Sequence, residues 1–140
     1  MSLSTVHELE VFALDREDFP SRFTFDVGGY GGTWYQVDLD ANEQTIEYTW
    51  HGAVNRRKGR ERVAPSGDQW RSFRDDLDEL GIWNWVERYS ATDVVDSTNW
   101  SVLIHWGTRR IESSGSSDFP RKFEAALTAV SRLIGGRAFR

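Results

Sequence analysis

At 140 residues, with 39% hydrophobic and 14% aromatic content, the chain has the length and apolar stock of one ordinary domain, and not the composition of a disordered segment. Cysteine is absent, which removes disulfides, zinc–thiolate sites, iron–sulfur clusters and cysteine nucleophiles. A net charge of −5 argues against a dedicated nucleic-acid binder, whose phosphate contacts need a basic face, and no run of about 18 apolar residues offers a membrane-spanning helix.

The stretch from Met1 to Glu10 carries acids in place of a basic region followed by an apolar one, so no secretion signal is expected and a cytoplasmic setting fits. Phe23, Phe25 and Val27 then alternate with Thr24 and Asp26, the period of a strand with one buried face. Gly28-Gly29-Tyr30-Gly31-Gly32 interrupts the run, and alternation resumes with Tyr35, Val37 and Leu39 against Trp34, Gln36 and Asp38. The glycines form a hairpin loop; a phosphate cradle would need the Lys-Ser/Thr and the following helix that this segment lacks. After a turn at Asp40 to Glu43, Ile46, Tyr48 and Trp50 alternate with Glu47, Thr49 and His51. Three strands in a meander result, with room for a short fourth around Arg60 to Val63.

Ser66 followed by Gln69 is a capping-box pattern, placed directly before an apolar stripe at Trp70, Phe73, Leu77 and Leu80. Gly81 is suited to end that helix, with Ile82 folding back on its last turn. Trp83 to Tyr89 reads equally as a brief strand or an anchored loop, with Trp83 and Trp85 packed beneath the first helix. From Ser97 alternation returns, with Trp100, Val102, Ile104 and Trp106 on one face and Ser101, Leu103 and His105 on the other. Gly107-Thr108 permits a tight turn into a strand containing Ile111, and Ser113 to Asp118 is expected to be a loop. Pro120 suits the first turn of a last helix, whose stripe runs through Phe119, Phe123, Ala126, Leu127, Val130, Leu133 and Ile134 until Gly135-Gly136 ends it. The expected fold is therefore α+β: an antiparallel sheet of five or six strands with two amphipathic helices on one face, in the order β-β-β-(β)-α-β-β-α. A single domain spans 1–140, with its core in about 20–135 and with the N-terminal residues and 136–140 peripheral.

Three segments carry a resemblance: Ile82-Trp83-Asn84-Trp85, the strand Trp100-Ser-Val-Leu-Ile, and Ser113-Ser-Gly-Ser-Ser-Asp-Phe-Pro120 opening the last helix. Through them the chain resembles a family of small uncharacterised bacterial α+β proteins. Asp96-Ser97 departs from the pattern where an Asp-Gly turn is expected, as does Ser117 in the place of Asn. The resemblance implies the fold and brings no activity, cofactor or site residue with it. A looser similarity to bacterial toxin-immunity domains is one of fold only.

Candidate site residues come from parity. Trp34, Gln36, His51 and His105 share the sheet face turned away from the helices, where an exposed aromatic such as Trp34 reads as a binding residue, as half of a cross-strand pair at hairpin level, or as a contact with a partner subunit. His7, His51 and His105 are spaced too widely to diagnose a metal site, and none is assigned. Gly115-Ser116-Ser117 lacks the surroundings of a nucleophile elbow. Asp75, Asp76, Asp78 and Glu79 read as the solvated side of the first helix. Arg56, Arg57, Lys58, Arg60 and Arg62, against the single Glu61, give a local charge of +4. The leading expectation is a non-catalytic module that binds another protein, immunity-like in character, through the open sheet face and this basic loop around Arg56 and Arg57. The alternative is a small enzyme or small-molecule binder with Asp26, Gln36, His51 and His105 gathered around Trp34. No cofactor is expected in either case, and neither is a nucleic-acid or membrane partner.

Overall fold

Residues 18–29, 32–52, 58–90 and 98–140 are described by the computed structural model of the chain. The meander consists of β1 (Arg22–Gly29), β2 (Trp34–Asp40) and β3 (Thr45–His51), followed by β4 (Lys58–Val63). Helix α1 (Gly67–Leu80), a 3-10 turn (Ile82–Asn84), β5 (Arg88–Ser90), β6 (Thr98–Trp106), β7 (Arg109–Ser116) and α2 (Phe123–Leu133) complete the order. The strands form one sheet, β4-β3-β2-β1-β6-β7-β5, antiparallel throughout except where β5 lies parallel to β7. Seven strands stand where five or six are expected: the optional fourth strand is present as Lys58–Val63, and Arg88–Ser90 adds a further strand at the other edge. Among the described residues no helix is long and apolar enough to cross a membrane.

Helix α1 begins as its sequence dictates. Ser66 accepts a hydrogen bond from the Gln69 backbone N–H at 3.1 Å, and the Gln69 side chain accepts one from the Ser66 N–H at 2.8 Å. Gly81 ends the helix in the left-handed region, at φ 74. Trp70, Phe73, Leu77 and Leu80 are buried, and the rings of Trp70 and Phe73 meet Phe23 of β1 and Trp106 of β6. Phe123 of α2 meets Phe25 of β1 and Trp100 of β6. Both helices therefore lie over the central strands on one face, and Trp70, Phe73, Leu77, Trp100, Val102, Ile104, Trp106, Phe123, Leu127 and Val130 belong to one core.

Several local expectations are corrected. Ser113–Ser116 is not loop but the end of β7. Ser113 is buried and donates its hydroxyl to the Val86 carbonyl at 2.6 Å, so it is a strand residue with an internal partner. Gly115 has no Cβ because the Trp100 indole crosses it: an added Cβ would stand 2.4 Å from Trp100 Nε1. That indole donates to the Asp118 carbonyl at 2.9 Å. Helix α2 starts at Phe123 and not at Pro120, after a turn in which Lys122 takes φ 66. Trp85 packs against Trp100 and Phe123, away from α1. Trp83 is only half-buried, donating to Asp78 at 2.8 Å beneath the Arg109 guanidinium. The acids of α1 are accordingly more than a solvated face, since Asp78 also pairs with Arg109 and Asp76 with Arg132 of α2.

The largest correction concerns the C-terminal tail. Gly135 and Gly136, at φ 74 and 86, turn the chain back onto the helix-bearing face of the sheet, over β2 and β3. Phe139 is 2% exposed, with its ring against Phe25 and Tyr35. The Ala138 carbonyl accepts the Tyr48 hydroxyl at 2.5 Å, and Arg137 pairs with Glu61 of β4. Residues 136–140 are thus part of the packing over β2 to β4. They are not peripheral.

Candidate functional site

The face of the sheet opposite the helices is polar, and the strand register fixes its layout. Across the hairpin end, Lys58, His51, Trp34, Gly28 and Asn99 stand in one row. One row further along are Arg60, Thr49, Gln36, Asp26 and Ser101, and the next holds Arg62, Glu47, Asp38, Thr24 and Leu103. Trp34, Gln36 and His51 are therefore immediate neighbours on one face, all half-buried.

Trp34 does not project freely into solvent. Its indole stacks on the His51 imidazole directly opposite, with ring centroids 5.0 Å apart and planes inclined by 23°. On its other side it rests against Gly28, where a Cβ would stand 2.4 Å from Trp34 Cδ1. The first glycine of the hairpin loop is thus required by the indole, and Trp34 forms a cross-strand pair of the kind that stabilises hairpin ends.

His105 is on the same face and half-exposed, but at the other end of the sheet. It pairs with Arg22, whereas Trp34 is level with Gly28, and β2 and β1 separate β3 from β6. Three strand spacings and six residues put the two imidazoles about 14 Å apart across the sheet and about 20 Å apart along it. The site that gathers His51 and His105 around Trp34 is corrected by this register: no common ion or substrate atom reaches both. His7, Arg56 and Arg57 lie outside the described residues. Trp50 keeps its core parity yet is only half-buried, with its indole lying across Gly59 of the edge strand β4.

The electrostatics of the face are local. Arg60 pairs with Glu47 at 2.7 Å, and the Ser101 hydroxyl donates to Asp26. Partial desolvation and the neighbouring Glu47 push the carboxyl of the exposed Asp38 above the usual aspartate range, against the pull of Arg22. Partial burial and the flanking guanidiniums of Arg110 and Arg22 hold His105 below the ordinary imidazole value. Gln36, Asp38, Glu47, Thr49, His51, Lys58, Gly59 and Arg60 enclose an open groove of about 640 Å³. Its walls mix donors, acceptors and both signs of charge, a composition suited to reading a polar surface.

The chain matches no protein-family model and no curated protein. The reading of the site rests on its geometry.

A second concavity, of about 460 Å³, lies at the same end of the molecule on the helix side. Val27, Tyr35, Phe123 and Leu127 line it, and Phe119, 43% exposed, lines it too. Glu124 and Arg140, paired with each other, also line it. Sequence reasoning placed Phe119 on the buried stripe of the last helix and so missed this cavity. The positive φ at Lys122, which detaches Phe119 from the helix, has no signature in residue type.

Proposed function

We propose that the protein is a non-catalytic binding module that engages another protein through the uncovered face of its sheet, at the hairpin end formed by Trp34, Gln36 and His51, with the basic segment beside it. The observation that carries this reading is the groove on that face, lined by hydrogen-bonding side chains from three strands, one of which, His51, is stacked on Trp34. Rigid aromatic anchors ringed by polar groups lose little entropy on binding and are typical of protein-contact surfaces. An enzyme site around Trp34, His51 and His105 is not supported, since the third member is remote.

The test is site-specific photo-cross-linking in the source cell, with benzoylphenylalanine placed at Gln36 or Thr49 on the sheet face and at Ser72 or Asp75 on α1. The expected result is a discrete adduct from both sheet positions and neither helix position, weakened by His51→Ala. Equal labelling from the helix positions would overturn the reading. The cavity around Phe119, part apolar and part lined by the Glu124–Arg140 pair, favours a second reading, a small-molecule binder, because its volume falls within the range of ligand sites. Saturable binding of anilinonaphthalene sulfonate to the native protein, abolished by Val27→Phe, would support it, and no binding would remove it.

A further inference from the structure

The strand order leaves β4 at one end of the sheet. Its inner side pairs with β3 in unbroken register from His51↔Lys58 to Ile46↔Val63, and among the described residues no strand pairs with its outer side. A regular strand without proline or bulge presents a row of backbone donors and acceptors to an incoming chain. We propose that this edge of β4 is a docking site for an extended acidic segment of a partner protein, which adds to the sheet as a further strand. The inference deepens the binding-module reading and rests on it.

Charge selects the occupant. Parity sets Lys58, Arg60 and Arg62 on the uncovered face, and all three are exposed. Arg60 is held by Glu47, while among the described residues neither Lys58 nor Arg62 has an ion-pair partner. Alternate residues of a strand recur about every 6.6 Å, so carboxylates at every second position of an added strand would stand beside these cations. The one acid of the strand, Glu61, projects to the other face and is already paired with Arg137. A second copy of the chain fits poorly, because pairing β4 with itself would set cation against cation. These cations stand in a chain of net charge −5. The field therefore favours the arrival of an acidic segment at this edge.

The probe is the blocked heptapeptide Thr-Glu-Val-Glu-Val-Glu-Thr, titrated into the isotope-labelled full chain, with two controls: lysine in place of each glutamate, and N-methylation of its central amides. The acidic peptide is expected to slow hydrogen exchange of β4 backbone amides at least tenfold. The Lys58→Glu/Arg62→Glu variant, shown to be folded by its spectrum, should raise Kd at least tenfold. The lysine peptide should not bind, and the N-methylated one should lose binding. Binding without protection of β4, equal binding of either control, or no binding at millimolar peptide would each overturn strand addition. Cross-linking from Gln36 and Thr49 is read separately, so the edge can fail while the face stands, or the face while the edge stands.

Discussion

Replacing Phe139 by alanine tests whether the last residues belong to the core. The side chain is almost fully buried, its ring 5.4 Å from that of Phe25 and 6.2 Å from that of Tyr35. Truncating a buried phenylalanine costs about 3–5 kcal/mol, a large share of the roughly 5–15 kcal/mol that stabilises a domain. With an unfolding entropy of about 2.1 cal/mol/K per residue, the same loss lowers Tm by about 10–17 °C. Urea titration followed by tryptophan fluorescence measures it as a fall in the midpoint at unchanged slope. The tail also accepts the Tyr48 hydroxyl, so Tyr48→Phe should cost about 0.5–1.5 kcal/mol in the native chain and nearly nothing once residues 137–140 are deleted. A loss below about 1 kcal/mol for Phe139→Ala, where a core position should cost several times that, would show that the tail only lies on the surface and would refute the argument.

Leu77→Ala and Leu127→Ala should each cost about 2–5 kcal/mol by the same titration, and losses under about 1 kcal/mol at both would mean that the helix faces are misassigned. Gly115→Ala drives a methyl into the Trp100 indole and should destabilise by about 1–3 kcal/mol, whereas a neutral result would contradict the close approach. Asp38 holds its proton to higher pH in the folded chain than in the unfolded one, so its ionisation opposes folding above the folded pKa and this penalty disappears as pH falls below the unfolded value of 3.8. Asp38→Asn should therefore be more stable than the parent at neutral pH, with the advantage vanishing in acid; a pH-independent difference would contradict the assignment. In an NMR titration His105 should ionise below 6.5, and Arg110→Gln should move it upward, an unchanged midpoint being the contrary result.

The fold class was legible because its signals are periodic. Period-2 runs gave β1, β2, β3 and β6 and the correct faces of Trp34, His51 and His105, while Ser66, Gln69 and Gly81 marked both ends of α1. The signals failed where tertiary contacts decide. Ser113 looks like a loop residue until its hydroxyl finds the Val86 carbonyl, and the strand Arg88–Ser90 is too short to show a period. The tail after Gly136 has no repeat at all, and only its contacts with Phe25, Tyr35 and Tyr48 order it. At the candidate site, parity named the right face but could not give distance along it. Strand order and register alone separate His105 from His51, and only the glycine opposite Trp34 reveals that the indole lies flat against its neighbours.

The binding-face reading requires that the face bearing Trp34 be open to solvent in the intact protein. Solvent paramagnetic relaxation of the labelled protein measures this directly, through the indole Nε1–H signals of the tryptophans and the ring signals of His51. Trp34 and His51 should broaden strongly with a soluble gadolinium chelate, while Trp70, Trp100 and Trp106, each no more than 2% exposed, should be unaffected. Protection of Trp34 and His51 equal to that of Trp70 would show the face to be covered within the chain itself, and would contradict the account.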